Sequence, residues 1–515
     1  MKAQIQGKNI VLTFDFSADL ATRAKKLGMK YRPSSKEWWF ENNHINKMLI
    51  AREFDQFLGF VLPEPTPTYN LPAYLMPHQK KAVMDARTYK RLGIYYDTGV
   101  GKTLSAIEII RMYRVKTLVV CPLSIIEPAW MVDLEKWSPE LRLNATNLWK
   151  CKTKKRFDKG LESDVCIINF ESFRAKAKQL SEAEFSMVII DESSRAKNPK
   201  SSVTKALVKF CDNIPLVYLL SGTPAPNNNT EYWPQMRILD PSLLSRSFYS
   251  FRSKYFTPAG FGGFQWKENP SVRQDLLDKI ATVSIVARKE DVLELPERTD
   301  RTVDVMLSPD ERRAYEQMKD DMIVEVEENE ICASNAAVKY MKLRSITSGF
   351  MFDEDRNVHT VGKSKLKALL ELLEQIGDHQ VIIWTTFQYE ARAISEALRN
   401  ESAICNGTVK QSDKEEAIKD FKDGHIKYLI AHPKTIGHGV TLTNCTYSIY
   451  YSLSYSYEEY SQSRDRIYRK GQENKCTYYH LIAQNTVDRP ILEALRGKGD
   501  ASDAVLKYIK GGKKC

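Results

Sequence analysis

The sequence lacks the features that would put it in a membrane, in an oxidising compartment or in a small metal-bound fold. No stretch approaches the roughly 18 consecutive apolar residues of a membrane-spanning helix. The opening residues, Met1 to Phe16, show neither the apolar core nor the cleavage site of a secretion signal. There are 9 cysteines, none in a C-x-x-C pair, so neither a zinc ribbon nor a disulfide framework is indicated. Cys121, Cys166 and Cys405 stand in apolar runs and read as small core residues, and a reducing cytoplasm is the expected setting. Internal repeats and long low-complexity tracts are absent. Neither sign of charge dominates: 76 lysines and arginines against 65 aspartates and glutamates leave +11, a basic excess that favours a polyanionic partner without requiring one.

What is present is enough chain for two large domains and a small one. The 515 residues exceed one ordinary core, and 43% hydrophobic with 27% charged residues is the balance of a folded globular protein. Residues 1–62 read as a separate α+β unit: a strand at Ile10–Phe14, a helix at Ala18–Leu27, then a strand, a turn and an aromatic strand within Lys30–Phe40. The proline-spaced segment Leu62–Thr68 cannot hold a helix, and residues 63–70 read as a linker. From 71 to 300, short apolar runs (Gly93–Tyr96, Thr117–Cys121, Val165–Asn169, Met187–Ile190, Val217–Leu220) alternate with helical patterns, as buried strands of a parallel sheet do. A second such series spans 361–500: Gln380–Trp384, Ser402–Cys405, Tyr428–Ala431, Tyr447–Tyr451 and Thr477–Ile482. Residues 301–360 between them read as a helical connector, with the acidic run Glu325–Glu330 as a solvated face. Residues 501–515 read as a basic, flexible tail. The expected class is α/β, two lobes in tandem.

The loop Tyr96-Asp97-Thr98-Gly99-Val100-Gly101-Lys102-Thr103 joins a strand to a helical pattern. That placement aims backbone N–H groups at an anion. Gly99, Val100 and Gly101 let backbone approach phosphates, Lys102 suits the β- and γ-phosphates, and Thr103 suits Mg²⁺. Tyr96 stands where the longer form of the motif has its first glycine. About 90 residues on, the apolar run Met187–Ile190 ends in Asp191-Glu192. An acidic pair at a strand end fits Mg²⁺ binding by Asp191 and orientation or deprotonation of a water by Glu192. An N-cap aspartate is the structural alternative, and the upstream loop weighs against it.

The order of motifs resembles superfamily-2 helicases, most closely the Swi/Snf-like translocases, over about Leu75 to Leu495. Leu75-Met76-Pro77-His78-Gln79 resembles the adenine-reading element, with Gln79 as the base contact. Leu118 to Ser124 resembles motif Ia, followed by Trp130 and Trp137, and Ile167 to Glu171 resembles motif Ib. Asp191 to Asn198 resembles motif II, and Leu220 to Asn228 motif III. Val381 to Phe387 resembles motif IV, Ile436 to Leu442 motif V, and Gln462 to Gln472 motif VI. The resemblance implies two RecA-like lobes, ATP with Mg²⁺, and DNA as partner. Gly437, Gly439 and Gln462 are then further nucleotide contacts. Pro122, Ser124, Asn169, Lys197, Asn198 and Thr386 are nucleic-acid contacts. Arg466 and Arg469, one helical turn apart, would share a face turned to the γ-phosphate. Ser194 stands where the DEAH pattern has histidine, which alters contact between motifs II and III. Tyr96 replaces an acidic residue common in the Swi/Snf version. No chromodomain, bromodomain or large insertion is visible, and the compact motor resembles phage or bacterial versions; a monomer is expected.

Gly28 to Pro33 with Trp38-Trp39 is similar to the HARP-type recognition module of annealing helicases, and to the module preceding the motor in phage branch-migration helicases of the UvsW kind. Arg32, Trp38 and Trp39 combine phosphate contact with base stacking. Adjacent strand residues face opposite ways, so one tryptophan can be buried and the other exposed. The implied activity is ATP-dependent action on branched or forked DNA, with roles in repair, recombination or replication. Three alternatives stay open: a duplex translocase that never parts strands, a nucleotide-gated scaffold with little turnover, and the motor subunit of a nuclease complex.

Overall fold

The computed structural model describes residues 1–259, 265–328, 333–353, 357–436 and 440–511; the side chains of 259, 265, 321–328, 333–339 and 500–511 are outside the description. The side chains of the acidic run Glu325–Glu330 and of the basic tail therefore fall outside it. Two compact units emerge, Met1–Val292 with Ala501–Cys515, and Leu293–Asp500.

The first unit begins with a four-stranded antiparallel sheet in the order Lys2–Gln6, Asn9–Thr13, Glu37–Glu41, Lys30–Arg32. Alternation along Asn9–Thr13 sends Ile10 and Leu12 to one face. There they meet Phe40 and the helices Ala18–Lys26 and His44–Phe54 through Ala24, Leu27, Ile45 and Leu49. Each helix is started by a side-chain cap: Ser17 Oγ accepts from Leu20 N–H, and Asn43 Oδ1 from Asn46 N–H. Sequence patterning missed the first strand, KAQIQ, because an edge strand with little burial carries almost no alternation.

The same unit then builds a seven-stranded sheet in the order Ser284–Ala287, Arg91–Tyr96, Leu216–Leu220, Met187–Asp191, Thr117–Cys121, Val165–Asn169, Ala145–Asn147, all parallel. The inner strands are buried along their whole length, which is why they read as unbroken apolar runs. The proline-rich strap is fastened rather than loose: Thr66 N–H donates to Met112 O at 2.8 Å and Lys90 Nζ to Pro63 O at 3.4 Å.

The second unit carries a six-stranded parallel sheet, ordered Arg298–Val305, Cys476–Ala483, Tyr447–Tyr450, Val381–Trp384, Tyr428–Ala431, Ser402–Cys405. Its edge strand Arg298–Val305 was invisible in the sequence: RTDRTVDV is polar and only Val305 is fully buried. That strand overlaps the start of the stretch read as a helical connector, whose helices are Pro309–Glu328 and Ala333–Thr347. The last helix runs Asp488–Gly511, through most of the stretch read as a tail. Two parallel sheets flanked by helices, in tandem, make two RecA-like lobes preceded by the small antiparallel module.

Candidate nucleotide site

Three motifs converge in the first lobe because three neighbouring parallel strands end side by side. Arg91–Tyr96 runs into the glycine loop, Leu216–Leu220 into Ser221-Gly222-Thr223, and Met187–Asp191 into Glu192. The carboxyl ends of parallel strands are where α/β sheets hold ligands. Gly99 and Gly101 adopt φ +84° and +85°, a left-handed conformation that a side chain disfavours. Gly101 caps the helix Lys102–Tyr113, whose first N–H groups face the loop. Lys102 is 9% exposed and donates to Tyr96 O at 2.9 Å and Asp97 O at 3.4 Å, so its ammonium is held inside the loop. Thr103 follows it, half-buried. Val100 is buried.

Gln79 is 4% exposed, accepts from Met76 N–H at 2.9 Å and donates to Gly101 O at 3.4 Å. The structure thus puts its amide against the phosphate loop. A Cβ on Gly101 would come within 2.1 Å of that amide nitrogen. His78, not singled out in the sequence, donates from Nε2 to Val100 O at 2.9 Å, and the Tyr96 hydroxyl donates to His78 O at 2.6 Å. Tyr96 therefore ties the Leu75–Gln79 segment to the loop, a role an acidic residue could not fill as a donor. Asp97 is clamped by the two residues that follow the edge strand: Arg288 meets it at 3.2 Å and Lys289 N–H donates to it at 3.0 Å.

Asp191 closes its strand with 4% exposure. Burial, reinforced by the Glu192 carboxylate, pushes its pKa up to about 6, against the opposing pull of Lys102 and the Trp130 indole. Trp130 Nε1 donates to Asp191 Oδ2 at 3.0 Å, and Glu192 N–H to Asp191 Oδ1 at 2.9 Å. Sequence order attaches Trp130 to motif Ia; the fold brings it to motif II. Glu192 has φ +53°, strained for a non-glycine residue and consistent with a functional constraint. Gln235 belongs to none of the motifs visible in the sequence. Fully buried, it accepts from Ser193 Oγ at 2.8 Å and donates to Pro224 O at 2.6 Å, bridging motifs II and III. Gly222 lies against the loop as well: a Cβ there would be 3.2 Å from Thr98 Oγ1.

In the second unit, one expectation is overturned. The helix Tyr457–Arg464 contains Gln462, half-buried, but ends before both arginines of the motif. Arg466 and Arg469 lie in the turns beyond it and do not share a helix face, because the chain leaves the helix to bring Arg466 O to Leu442 N–H at 2.9 Å. Arg466 is 2% exposed, while Arg469 is half-buried. Arg464 is structural: it grips Asp300 at 2.6 and 2.7 Å and stacks on Tyr478. Gly437 and Gly439 lie outside the described residues.

The candidate nucleic-acid contacts are scattered over both units. Pro122 is buried and Ser124 exposed. Asn169 is 4% exposed, and its Nδ2 donates to Glu171 at 2.8 Å. Lys197 is half-buried; Asn198 is exposed and accepts from Lys200 N–H at 2.9 Å. Thr386 accepts from Arg344 at 2.8 Å. Trp38 and Trp39 are both half-buried, not one buried and one exposed. They do face opposite ways: Trp38 packs against the module's core, and Trp39 lies beneath Lys30 and Arg32, 5.3 and 5.7 Å from its ring centre. Arg32 also meets Glu37 at 3.3 Å.

The sequence matches known proteins. The family model for the SNF2-related domain matches residues 78–354, more than half of the chain, and that for the helicase conserved C-terminal domain matches residues 364–471. The phage protein p41 of Acyrthosiphon pisum secondary endosymbiont phage 1 is 24% identical over 84% of this chain and 98% of its own length. The ATP-dependent helicase MG018 of Mycoplasma genitalium is 26% identical over 78% of this chain. The human DNA annealing helicase and endonuclease ZRANB3 is 24% identical over 90% of it. The matched regions span 39% and 42% of the last two. The chain belongs to the SNF2-related family of ATP-dependent helicases and translocases.

Proposed function

We propose that this chain hydrolyses ATP to move along DNA, and that branched or forked DNA is its working substrate. The observation that carries the first part is the apposition of Gly99–Thr103, Asp191-Glu192 and Ser221–Thr223 at the ends of adjacent strands. The residues fit ATP with Mg²⁺: a buried ammonium held by loop carbonyls, a hydroxyl at the helix start, and a carboxylate held next to another carboxylate with its pKa raised. Thr103 and Asp191 would hold Mg²⁺, which when bound neutralises phosphate charge. Gln79 reads the base, and Lys102 exchanges its carbonyl partners for phosphate oxygens. Glu192 orients the attacking water and accepts its proton. Arg466 and Arg469 are the two residues to which the family resemblance assigns stabilisation of charge on the γ-phosphate. Gln235 passes the state of motif II to motif III.

The DNA part rests on the +11 charge, on the cationic and aromatic face of Lys30, Arg32 and Trp39, and on what the human relative's name states of that protein. A HARP- or UvsW-like role for residues 1–62 belongs to the same reading. The SNF2-related match also favours a second reading, a motor that tracks duplex without parting strands; displacement of a triplex strand with no movement of a synthetic fork would select it. The first test is ATP hydrolysis by wild type and Glu192→Gln without nucleic acid and with single-stranded, duplex and forked DNA. Stimulation by duplex or forked DNA, abolished in the variant, is expected. Absence of hydrolysis on any DNA would sink the proposal.

A further inference from the structure

A cavity of about 440 Å³ lies at the seam between the N-terminal module and the first lobe. The module contributes Lys8, Lys30 and Trp39; the lobe contributes Asp212, Arg237 and Arg246. The two parts are joined firmly around it. Ile45 N–H donates to Asp212 O at 3.0 Å, and Arg52 meets Asp240 at 2.6 Å. Arg246 crosses to hydrogen-bond Asn46 and lies over the Phe40 ring. Gly28, at φ +82°, makes room for that crossing: a Cβ there would be 2.5 Å from Arg246 Cδ.

The cations are not equivalent. Arg237 is neutralised by a two-point bond to Asp212 at 2.8 and 2.9 Å. Arg246 has no such carboxylate among the described residues, and its buried Nε finds no hydrogen-bond partner among them. Burial correspondingly draws its pKa down to about 10. A mostly buried guanidinium with an unspent donor and no carboxylate partner favours a nearby anion. Lys8 and Lys30 are exposed at the same cavity, and Glu41 is the one acidic lining group without a cationic partner among the described residues. Trp39 adds an aromatic wall. Phosphate-binding cations beside a stacking surface fit one nucleotide whose base is free to leave its neighbours.

We propose that this seam binds an unpaired nucleotide of a DNA strand, with Trp39 taking the base and Lys8, Lys30 and Arg246 the phosphate. The inference rests on the DNA reading above and narrows it. Bases within a duplex have both faces stacked and cannot enter, so the site selects junctions and frayed ends. Because the module is fastened to the lobe that carries the phosphate loop, the captured nucleotide would travel with that lobe.

The test uses the full chain and a fork with 2-aminopurine as the unpaired nucleotide, read by fluorescence titration, beside a blunt duplex of equal length. Lys8→Glu with Lys30→Glu changes only exposed side chains and is expected to weaken fork binding about tenfold while duplex binding stays within about twofold. Trp39→Ala is expected to remove the fluorescence change. Equal weakening on fork and duplex, or none on either, overturns the site. Calorimetric binding of thymidine 5′-monophosphate together with fork binding indifferent to the lysine variant would assign the seam to soluble nucleotides and overturn the strand assignment. Duplex-stimulated hydrolysis is measured alongside. Its absence in wild type would overturn the motor reading and leave the fork-to-duplex comparison to decide the site.

Discussion

Replacing Gln235 by leucine keeps nearly the same volume in a fully buried position and removes one bridge. The Ser193 hydroxyl loses its acceptor at 2.8 Å and Pro224 O its donor at 2.6 Å. Leaving a buried polar group unmatched costs about 1–3 kcal/mol, so two of them, less the relief of not burying the amide, should lower stability by about 2–4 kcal/mol. Ser193→Ala removes only one bond, leaving Gln235 Oε1 with the longer contact to Tyr95 at 3.4 Å, and should cost about 1–2 kcal/mol. If the bridge is one unit, the double variant is less damaged than the two singles combined, with about 1 kcal/mol of coupling by urea denaturation. The kinetic expectation separates coupling from binding. The phosphate loop is untouched, so KM for ATP should stay within about twofold. Duplex-stimulated kcat should fall about tenfold, equivalent to about 1.4 kcal/mol, and more than the unstimulated rate. Additive stabilities with unchanged stimulation would refute the bridge.

Gly101→Ala forces a methyl group toward Gln79 at a φ of +85°, and should reduce binding of a fluorescent ATP analogue more than about tenfold while the melting temperature shifts little; normal binding would contradict the loop geometry. Arg91→Met strips four carbonyl oxygens, of Cys211, Ile214, Ile238 and Leu239, of a buried donor and should destabilise by about 4 kcal/mol in urea; a loss under about 1 kcal/mol would show that water replaces it. His480, stacked 5.0 Å from Tyr450, has its pKa drawn down to about 4 by burial. A depressed histidine pKa favours the neutral folded form. Its contribution is complete above about pH 6.5 and fades by about 1.4 kcal/mol per pH unit toward pH 4. Denaturation of wild type and His480→Phe across that window should show the slope flattened in the variant, and equal slopes would exclude it.

The sequence made the two lobes legible because parallel strands buried on both faces leave unbroken apolar runs, as at Val165–Asn169 and Tyr428–Ala431. It also exposed Lys102, Asp191 and Glu192, since each chemical demand there falls on consecutive residues. What it concealed depends on distance along the chain. Trp130 reaches Asp191 across 61 residues and Arg288 reaches Asp97 across 191, and neither tryptophan nor arginine announces its partner. Gln235 lies in the short helix Tyr232–Leu239 beside Arg237, where a buried amide resembles any surface residue. The turn at Arg466 is a different failure: a motif spaced like a helix is bent out of one by its tie to Leu442.

Arg91 opens the strand that ends in the phosphate loop, and its guanidinium gathers the final carbonyls of the two helices whose next residues, Asp212 and Asp240, receive the N-terminal module. The module, its landing place and the root of the nucleotide strand are therefore mechanically joined. A graft of this head onto another motor would have to carry Asp240 and Arg246 with it, and a shortened chain beginning after the proline strap would leave those two charges without their partners Arg52 and Asn46.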